Sequence, residues 1–470
     1  MKAGILMAVR EECGIFGIYN KNGSCANDAY YALYALQHRG QESCGIATIN
    51  DRELKTHRSA GLVGDTFTPA ILNDLNGTMA VGHVRYSSAE FAGLENAQPI
   101  SFRYAKGTLS LAHNGQLLDA KELRTKYEYS GAIFHATSDT ELIAYAIAQE
   151  RLWCDSIEEA VNRALKYLRG AYSLVIMSPQ ELIAARDPWG FRPLCMGRRG
   201  DAVVFASETC ALESVGATFE RELDPGEIVY VSDGEVHSIR DNCKDMSHLC
   251  IFEFIYFARP DSVISGQSVH LARTLAGRCL ARAHPVDADV VVGVPDSGLP
   301  AAEGYALESG IPNTTGFIKN RYIGRTFIAP TQAAREMAVR IKLNPMSSTV
   351  KGKRVIVVDD SIVRGTTSIQ TIQLLRDAGA KEIHLRISSP EFISPCYFGT
   401  DIPDTDSLAA CRYTHEELRQ LLGADTLGFL PLEDLYKIAP EANCGFCDGC
   451  FTRKYPILPE YDRSPLVSEI

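Results

Sequence analysis

No run of lysine and arginine breaks the acidic balance of this 470-residue chain, whose formal charge is −11. That balance argues against a nucleic-acid partner. No apolar stretch is long enough to span a bilayer. The start, MKAGILMAVREE, turns charged after a short apolar run and lacks the small-residue cleavage site of a secretory signal. The protein is therefore expected in the cytoplasm. There, fourteen cysteines do not make a disulfide framework. Most should be buried thiols, and those that cluster need another explanation, a nucleophile or a metal. A hydrophobic content of 46% with 22% charged residues is ordinary for a globular enzyme, and the length allows two full-sized cores.

The most informative stretch is Lys353–Ser368, KRVIVVDDSIVRGTTS. Its β-branched run Val355–Val358 suits a strand buried on both faces of a parallel sheet. Two acids follow, Asp359 and Asp360, then Gly365 and three hydroxyl residues, Thr366, Thr367 and Ser368. The spacing of Ile369, Ile372 and Leu375 predicts a helix ending near Gly379. Strand, small-residue loop and helix N-terminus make an anion cradle. Carboxylates beside it suggest ribose hydroxyls or Mg²⁺, because bare acids repel phosphate. Both acids can reach one ligand only where the strand has given way to the loop. An ordinary strand–helix turn with a solvated acid pair is the plain alternative. The stretch VIVVDDSIVRGTTS resembles the signature of type I phosphoribosyltransferases, which bind 5-phosphoribosyl 1-diphosphate (PRPP). With the preceding IKNRYIGRTFI it is similar to the amidophosphoribosyltransferase family, which catalyses the first committed step of purine synthesis.

Near the start, EECGIFGIYN puts Cys13 at the head of an alternating strand. Taken alone it is one more buried cysteine. The same CGIFGI resembles the start of class II glutamine amidotransferases, whose mature chain begins with cysteine. A terminal cysteine offers a thiol nucleophile and a free α-amine as its base, so residues 1–12 are expected to be a propeptide. A helix is predicted over Asp28–Gln37, with Gly40 as its C-cap. Four later pieces each have a plain reading. Arg85 in GHVRYS is a strand-end arginine, LSLAHNGQ a strand running into an Asn-Gly hairpin, SDTE a capping box for a helix over Leu142–Glu150, and Gly170–Met177 another apolar strand. Their order after Cys13 resembles the glutaminase site. That resemblance casts Arg85 as partner of the glutamine α-carboxylate and Asp139 of its α-amine, with Asn114 and the Gly115 N–H as the oxyanion hole. The chemistry agrees, with a bidentate arginine for a carboxylate and preorganised donors for a tetrahedral oxyanion.

Past the turn at Pro225 and Gly226, the polar run Asp241–Ser247 is the expected domain boundary. Val290–Val294 is then a strand, followed by Pro295-Asp296-Ser297-Gly298 and a helix from Pro300, a second turn fit to hold diphosphate or its metal. The resemblance makes Ser297 a Mg²⁺ ligand with Asp359 and Asp360, and adds Arg364 and Gly365 to the PRPP loop. GFIKNRYIGRTFIA, with Lys319, Arg321 and Arg325, is either a solvated loop or a lid closing over diphosphate; Arg335, Arg340 and Lys342 add charge. In the tail, NCGFCDGCF sets cysteines at 444, 447 and 450, a ligand clip that needs two more ligands. The resemblance supplies Cys250 and Cys396 beside Cys447 and Cys450, holding a [4Fe–4S] cluster. Zn(Cys)₄ is the alternative, and Cys444 leaves the choice of pair open.

The expected architecture is an N-terminal nucleophile αββα sandwich (residues 13–245) followed by a type I phosphoribosyltransferase domain with a parallel sheet (246–456) and a tail (457–470). The resemblance implies that glutamine is hydrolysed at Cys13 and that ammonia passes by a closed path to PRPP, giving 5-phosphoribosylamine, glutamate and diphosphate. It also implies a homotetramer and feedback by purine nucleotides. Two rivals are a sugar-phosphate aminating amidotransferase and a non-enzymatic PRPP sensor. The DDSIVRGTTS loop disfavours the first, and the glutaminase residues disfavour the second.

Overall fold

The computed structural model describes residues 13–86, 93–320, 343–400, 402 and 404–460. The expected propeptide (1–12), Ser87 of GHVRYS, and Arg321, Arg325, Arg335, Arg340 and Lys342 of the expected lid lie outside the described residues.

Two antiparallel sheets face each other in the first half. One has seven strands in the spatial order Thr218–Glu222, Cys195–Arg199, Ala202–Ala206, Gly14–Tyr19, Met79–Arg85, Ser43–Asn50, Glu53–Ala60. The other has six, from Glu235–Ile239 through Ile228–Ser232, Glu181–Arg186, Gly170–Met177 and Gly107–Leu117 to Ile100–Tyr104. All six residues of GIFGIY are buried, because the two faces of that strand meet different cores. Ile15 and Tyr19 point between the sheets to Val175 and Met177. Phe16 and Ile18 point outward under the helix Cys25–Ala35. Gly17 marks the closest approach, since a Cβ there would sit 2.5 Å from Val175 Cγ1. Helices Thr140–Arg151 and Ile157–Leu165 cover the outer face of the second sheet through Ile143, Ile147 and Val161. The result is a helix–sheet–sheet–helix sandwich.

Three local expectations are corrected by tertiary context. The strand Gly107–Leu117 runs straight through Asn114-Gly115 and pairs residue by residue with Gly170–Met177, so no hairpin forms there. The helix Thr140–Arg151 has Asp139 at its N-cap without a side-chain capping bond; Glu141 accepts instead from the His135 and Ala136 N–H groups. The first helix ends at Ala35, before Gly40. Gly40 is glycine because a Cβ would stand 2.5–2.7 Å from the Arg85 backbone.

The second half is built on a four-stranded parallel sheet, in the order Val290–Gly293, Arg354–Asp359, Glu382–Ile387, Thr426–Phe429. The β-branched run is buried on both faces: Ile356 and Val358 enter one core, Val355 and Val357 the other. Helices Val269–Ala283 and Gly298–Ser309 cover the first face, and Thr366–Asp377 the second. No helix among the described residues is long and apolar enough to cross a membrane.

Candidate functional site

Cys13 heads the first strand, and its thiol donates to the Tyr86 carbonyl at 3.6 Å. Strand pairing sets Gly14 opposite Val84, so Cys13 lies beside the end of the strand that carries Arg85. Arg85 is 4% exposed, and its guanidinium donates to Glu42 at 3.2 Å. His83, two residues back on the same strand, bridges to the second sheet by a 3.1 Å contact from Nε2 to the His113 carbonyl. Burial pushes its imidazole down to about 3, so it is neutral. His113 leads into Asn114 and Gly115. Asn114 is 1% exposed, and its Nδ2 is a buried donor without a hydrogen-bond partner among the described residues. Such a group is expensive to leave unmade unless something else uses it. Gly115 has φ +143°, and a Cβ there would strike the Ala171 carbonyl, so only glycine lets this stretch of strand face the site. Asp139 accepts from the Leu117 N–H at 2.6 Å and stands 3.5 Å from His113 Nδ1. Burial works against its charge, but His113 and the Leu117 N–H together hold it below the usual carboxylate range. Thus Cys13, Arg85, Asn114 and Asp139 gather at one end of the sandwich, each through a backbone position the sheets define.

The second constellation lies where two strands of the parallel sheet end side by side. A Cβ on Gly298 would meet the Val358 carbonyl at 2.5 Å and Asp359 Cα at 3.3 Å, so the PDSG turn is pressed against the acid pair. Ser297 and Ser361 both donate to the Asp360 carboxylate. Asp359 and Asp360 are 7% and 8% exposed. Burial, with each acid beside the other, pushes Asp359 well up; burial also raises Asp360, against the two serine hydroxyls. Two buried carboxylates and a hydroxyl form a hard oxygen set of the kind that holds Mg²⁺, with the Arg273 charge also acting on Asp360. Gly365, at φ +81°, caps the helix Thr366–Asp377, whose first residues Thr366, Thr367 and Ser368 stand at its N-terminus with Arg364 just before. Lys319 Nζ reaches Asp296 in the PDSG turn at 2.5 Å, so it already borders the acid pair.

Third, the short strand Gly445–Cys447 pairs in parallel with His248–Cys250, setting Cys447 directly opposite Cys250. The carbonyl of Cys450 accepts from the N–H groups of Ile393 and Ser394, which brings Cys396 alongside. Cys250, Cys396, Cys447 and Cys450 line one cavity of about 20 Å³, otherwise walled by aromatics such as Phe191, Phe252 and Phe392. Burial and the three neighbouring thiols push Cys450 well up, and burial takes Cys447 to about 12. Cys444 does not line the cavity and lies instead near Ser265 and Glu222. Among the described residues no three His, Cys, Asp or Glu side chains are drawn together as a metal ion needs them. Four thiols line one apolar pocket, a soft donor set.

Several residues at these sites carry no local sequence signal. Arg39, fully buried, donates to the Cys13 carbonyl at 3.0 Å and to Glu208 and Glu253. Arg273 donates to the carbonyls of Phe254, Tyr256 and Ala258. Phe398 stacks on Phe191 at 3.9 Å between ring centres, and its carbonyl accepts from Arg192 at 2.6 Å. Gly399 then packs against Gly115, where a Cβ would come within 3.3 Å of its backbone. The HRG motif that contains Arg39 was visible, but only as a helix end.

A nucleophile-type glutaminase sandwich joined to a type I phosphoribosyltransferase sheet defines a glutamine amidotransferase of two active sites. Residues 83–214 match a family model described as glutamine amidotransferase domain, and residues 265–388 one described as phosphoribosyl transferase domain. The chain is 45% identical to the amidophosphoribosyltransferase of Methanocaldococcus jannaschii, over 96% of this chain and 99% of that one. It is 46% identical to the Bacillus subtilis amidophosphoribosyltransferase, over 96% and 95%. A solved B. subtilis structure, glutamine PRPP amidotransferase complexed with ADP and GMP, superposes with TM-score 0.88 at 47% identity, covering 94% of this chain and 97% of that one. The chain belongs to the amidophosphoribosyltransferase family, enzymes of the glycosyltransferase class.

Proposed function

We propose that the chain hydrolyses glutamine at Cys13 and transfers the ammonia to C1 of PRPP, giving 5-phosphoribosylamine, glutamate and diphosphate, the first committed step of purine synthesis. The single observation that carries the glutaminase half is the unpartnered Nδ2 of buried Asn114, beside Gly115 and at the same end of the sandwich as Cys13. In this reading the Cys13 thiolate attacks the carboxamide, with the α-amine freed by loss of residues 1–12 as its base. Asn114 and the Gly115 N–H receive the oxyanion, and water then cleaves the thioester. Arg85 takes the substrate carboxylate and Asp139, kept ionised, its ammonium.

At the second site Asp359, Asp360 and Ser297 would hold Mg²⁺, which would supply positive charge for the departing diphosphate. The helix N-terminus at Thr366–Ser368 receives the 5′-phosphate. Lys319 and Arg325 would bind the diphosphate, and Arg364 and Gly365 would complete the loop. Ammonia must stay unprotonated in transit. The close contact of Gly399 with Gly115 brings the two halves together beside the proposed oxyanion hole, which supports a closed path.

Cys250, Cys396, Cys447 and Cys450 would hold a [4Fe–4S] cluster with a structural role, since neither half-reaction is redox. Zn(Cys)₄ is the alternative occupant of the same four thiols. A cytoplasmic homotetramer is the matching cellular form, and regulation by purine nucleotides is supported by the relative solved with ADP and GMP.

The test is Cys13→Ala. Glutamine-dependent product should vanish while product from high ammonia persists. Equal loss of both in a folded protein overturns two separate sites. Intact mass of the active enzyme should correspond to a chain beginning at Cys13.

A further inference from the structure

The backbone of the proposed nucleophile is held by Arg39, whose guanidinium is fixed in turn by a carboxylate from the other half of the molecule. Arg39 Nε donates to the Cys13 carbonyl at 3.0 Å. Its two Nη groups also donate to two carboxylates. Nη1 donates to Glu208 at 2.7 Å and to Glu253 at 3.0 Å, and Nη2 to Glu253 at 2.9 Å. All three side chains are fully shielded from solvent. Glu208 is pinned in turn by His38 at 2.7 Å and by the Ser262 hydroxyl at 2.6 Å. Burial opposes its charge, but His38 and Arg39 outweigh that and hold it well below the usual range. Glu253 opens the short π-helical turn Glu253–Phe257, whose Phe254, Ile255 and Phe257 belong to the core of the second half. Arg192, from the sandwich, stands 3.7 Å from the same carboxylate.

A guanidinium with both Nη groups locked in a fork has little freedom left at Nε. Its third bond therefore fixes the plane of the peptide that leaves Cys13 and the place of its Cα, from which the α-amine and thiol project. We infer that Glu253 is a positioning residue for glutamine hydrolysis, acting from the second half through Arg39 on Cys13. This rests on Cys13 being the nucleophile. The arrangement also sets the local charge. One arginine faces two carboxylates here, with Arg192 and His38 at the rim and the Arg85–Glu42 pair on the neighbouring strand. Neutralising Glu253 leaves more positive charge beside the α-amine, which then holds its proton less tightly.

The experiment compares Glu253→Gln, Glu253→Asp and Cys13→Ala with the parent in glutamate release and in ammonia-dependent PRPP turnover. Glu253→Gln should lower kcat for glutamine about tenfold or more, as a misplacement of ~1 Å at a reacting group does, with KM for glutamine nearly unchanged. The acid limb of its kcat profile should move to lower pH by about half a unit. Ammonia-dependent turnover should stay near the parent value and reports that the chain is folded. Glu253→Asp keeps the charge on a shorter arm, so it should leave the acid limb in place and still lose kcat. If Glu253→Gln does not fold, that kcat loss in Glu253→Asp with normal ammonia turnover carries the test. Parental kcat and acid limb in the glutamate variants, beside a dead Cys13→Ala, overturn the role of Glu253 alone. Glutamate release by Cys13→Ala overturns the nucleophile reading instead.

Discussion

Asn114→Ala separates stability from catalysis, because the two effects have opposite signs at one atom. In the folded protein Nδ2 is buried and makes no hydrogen bond, so the fold carries the desolvation cost of that donor, ~1–3 kcal/mol. Truncation removes it. A cavity of ~30 Å³ is left behind, costing ~0.7 kcal/mol at ~24 cal/mol per Å³. The variant should therefore be as stable as the parent or more so, by up to ~2 kcal/mol. Catalysis should move the other way. Loss of one oxyanion donor lowers kcat by ~10²–10³, or ~2.7–4 kcal/mol. KM for glutamine should hardly change, because the oxyanion exists only past the ground state. Urea unfolding gives the first quantity, and glutamate release at saturating PRPP gives the second. Ammonia-dependent turnover is the control for the second site. A variant that is less stable by more than ~1 kcal/mol yet hydrolyses glutamine normally would show that Nδ2 has a structural partner, and would refute the oxyanion assignment.

Three further predictions concern the other constellations. Asp360→Asn removes one of two buried acids that accept from Ser297 and Ser361; PRPP turnover should fall with glutamine or ammonia alike, while glutamine hydrolysis persists, and unchanged PRPP kinetics would take the acid pair out of the site. Protein purified without oxygen should be brown with about four irons per chain. Serine at Cys250, Cys396, Cys447 or Cys450 should bleach it and impair folding, whereas Cys444→Ser should be mild; a colourless, fully active zinc protein would refute the cluster. Glu208 is held below its ordinary value of 4.5 in the folded state, so its stabilising effect is complete above that pH and is lost as pH falls toward the folded value. Glu208→Gln should be less stable at neutral pH and should lose part of the parent's acid sensitivity, measured as the change of unfolding midpoint between pH 7 and pH 4. An identical pH slope in both proteins would refute the pairing with Arg39 and His38.

What was legible in the chain was chemistry packed into contiguous turns. VVDDSIVRGTTS encodes strand, acid pair, glycine at positive φ and helix N-terminus in one stretch, and each of those features depends mostly on its sequence neighbours. GIFGIY was legible as a strand, but the alternating pattern read there understated it, since all six residues are buried and each face meets a core. Asn114-Gly115 shows where local rules mislead. The dipeptide is a strong hairpin signal, but pairing with Gly170–Met177 keeps the strand straight, and the glycine's positive φ serves the site instead of a turn. SDTE misleads likewise: with Asp139 turned toward Leu117 and His113, its carboxylate is taken by the site and the helix is left without its side-chain cap.

Charges that act through distant partners were not legible at all. Arg39 lies 169 residues from Glu208 and 214 from Glu253, and nothing within a local window distinguishes a buried arginine from a solvated one. Only the docking of the second half's core against the sandwich makes Arg39 a fork and Cys13 its third ligand. Gly399 is the same case, an ordinary loop glycine until Gly115 is packed against it. The residues that perform each half-reaction are therefore written locally. Those that make one half depend on the other exist only in the assembled fold, which is why substitutions at Arg39, Glu253 or Gly399 should affect glutamine use while sparing the chemistry at PRPP.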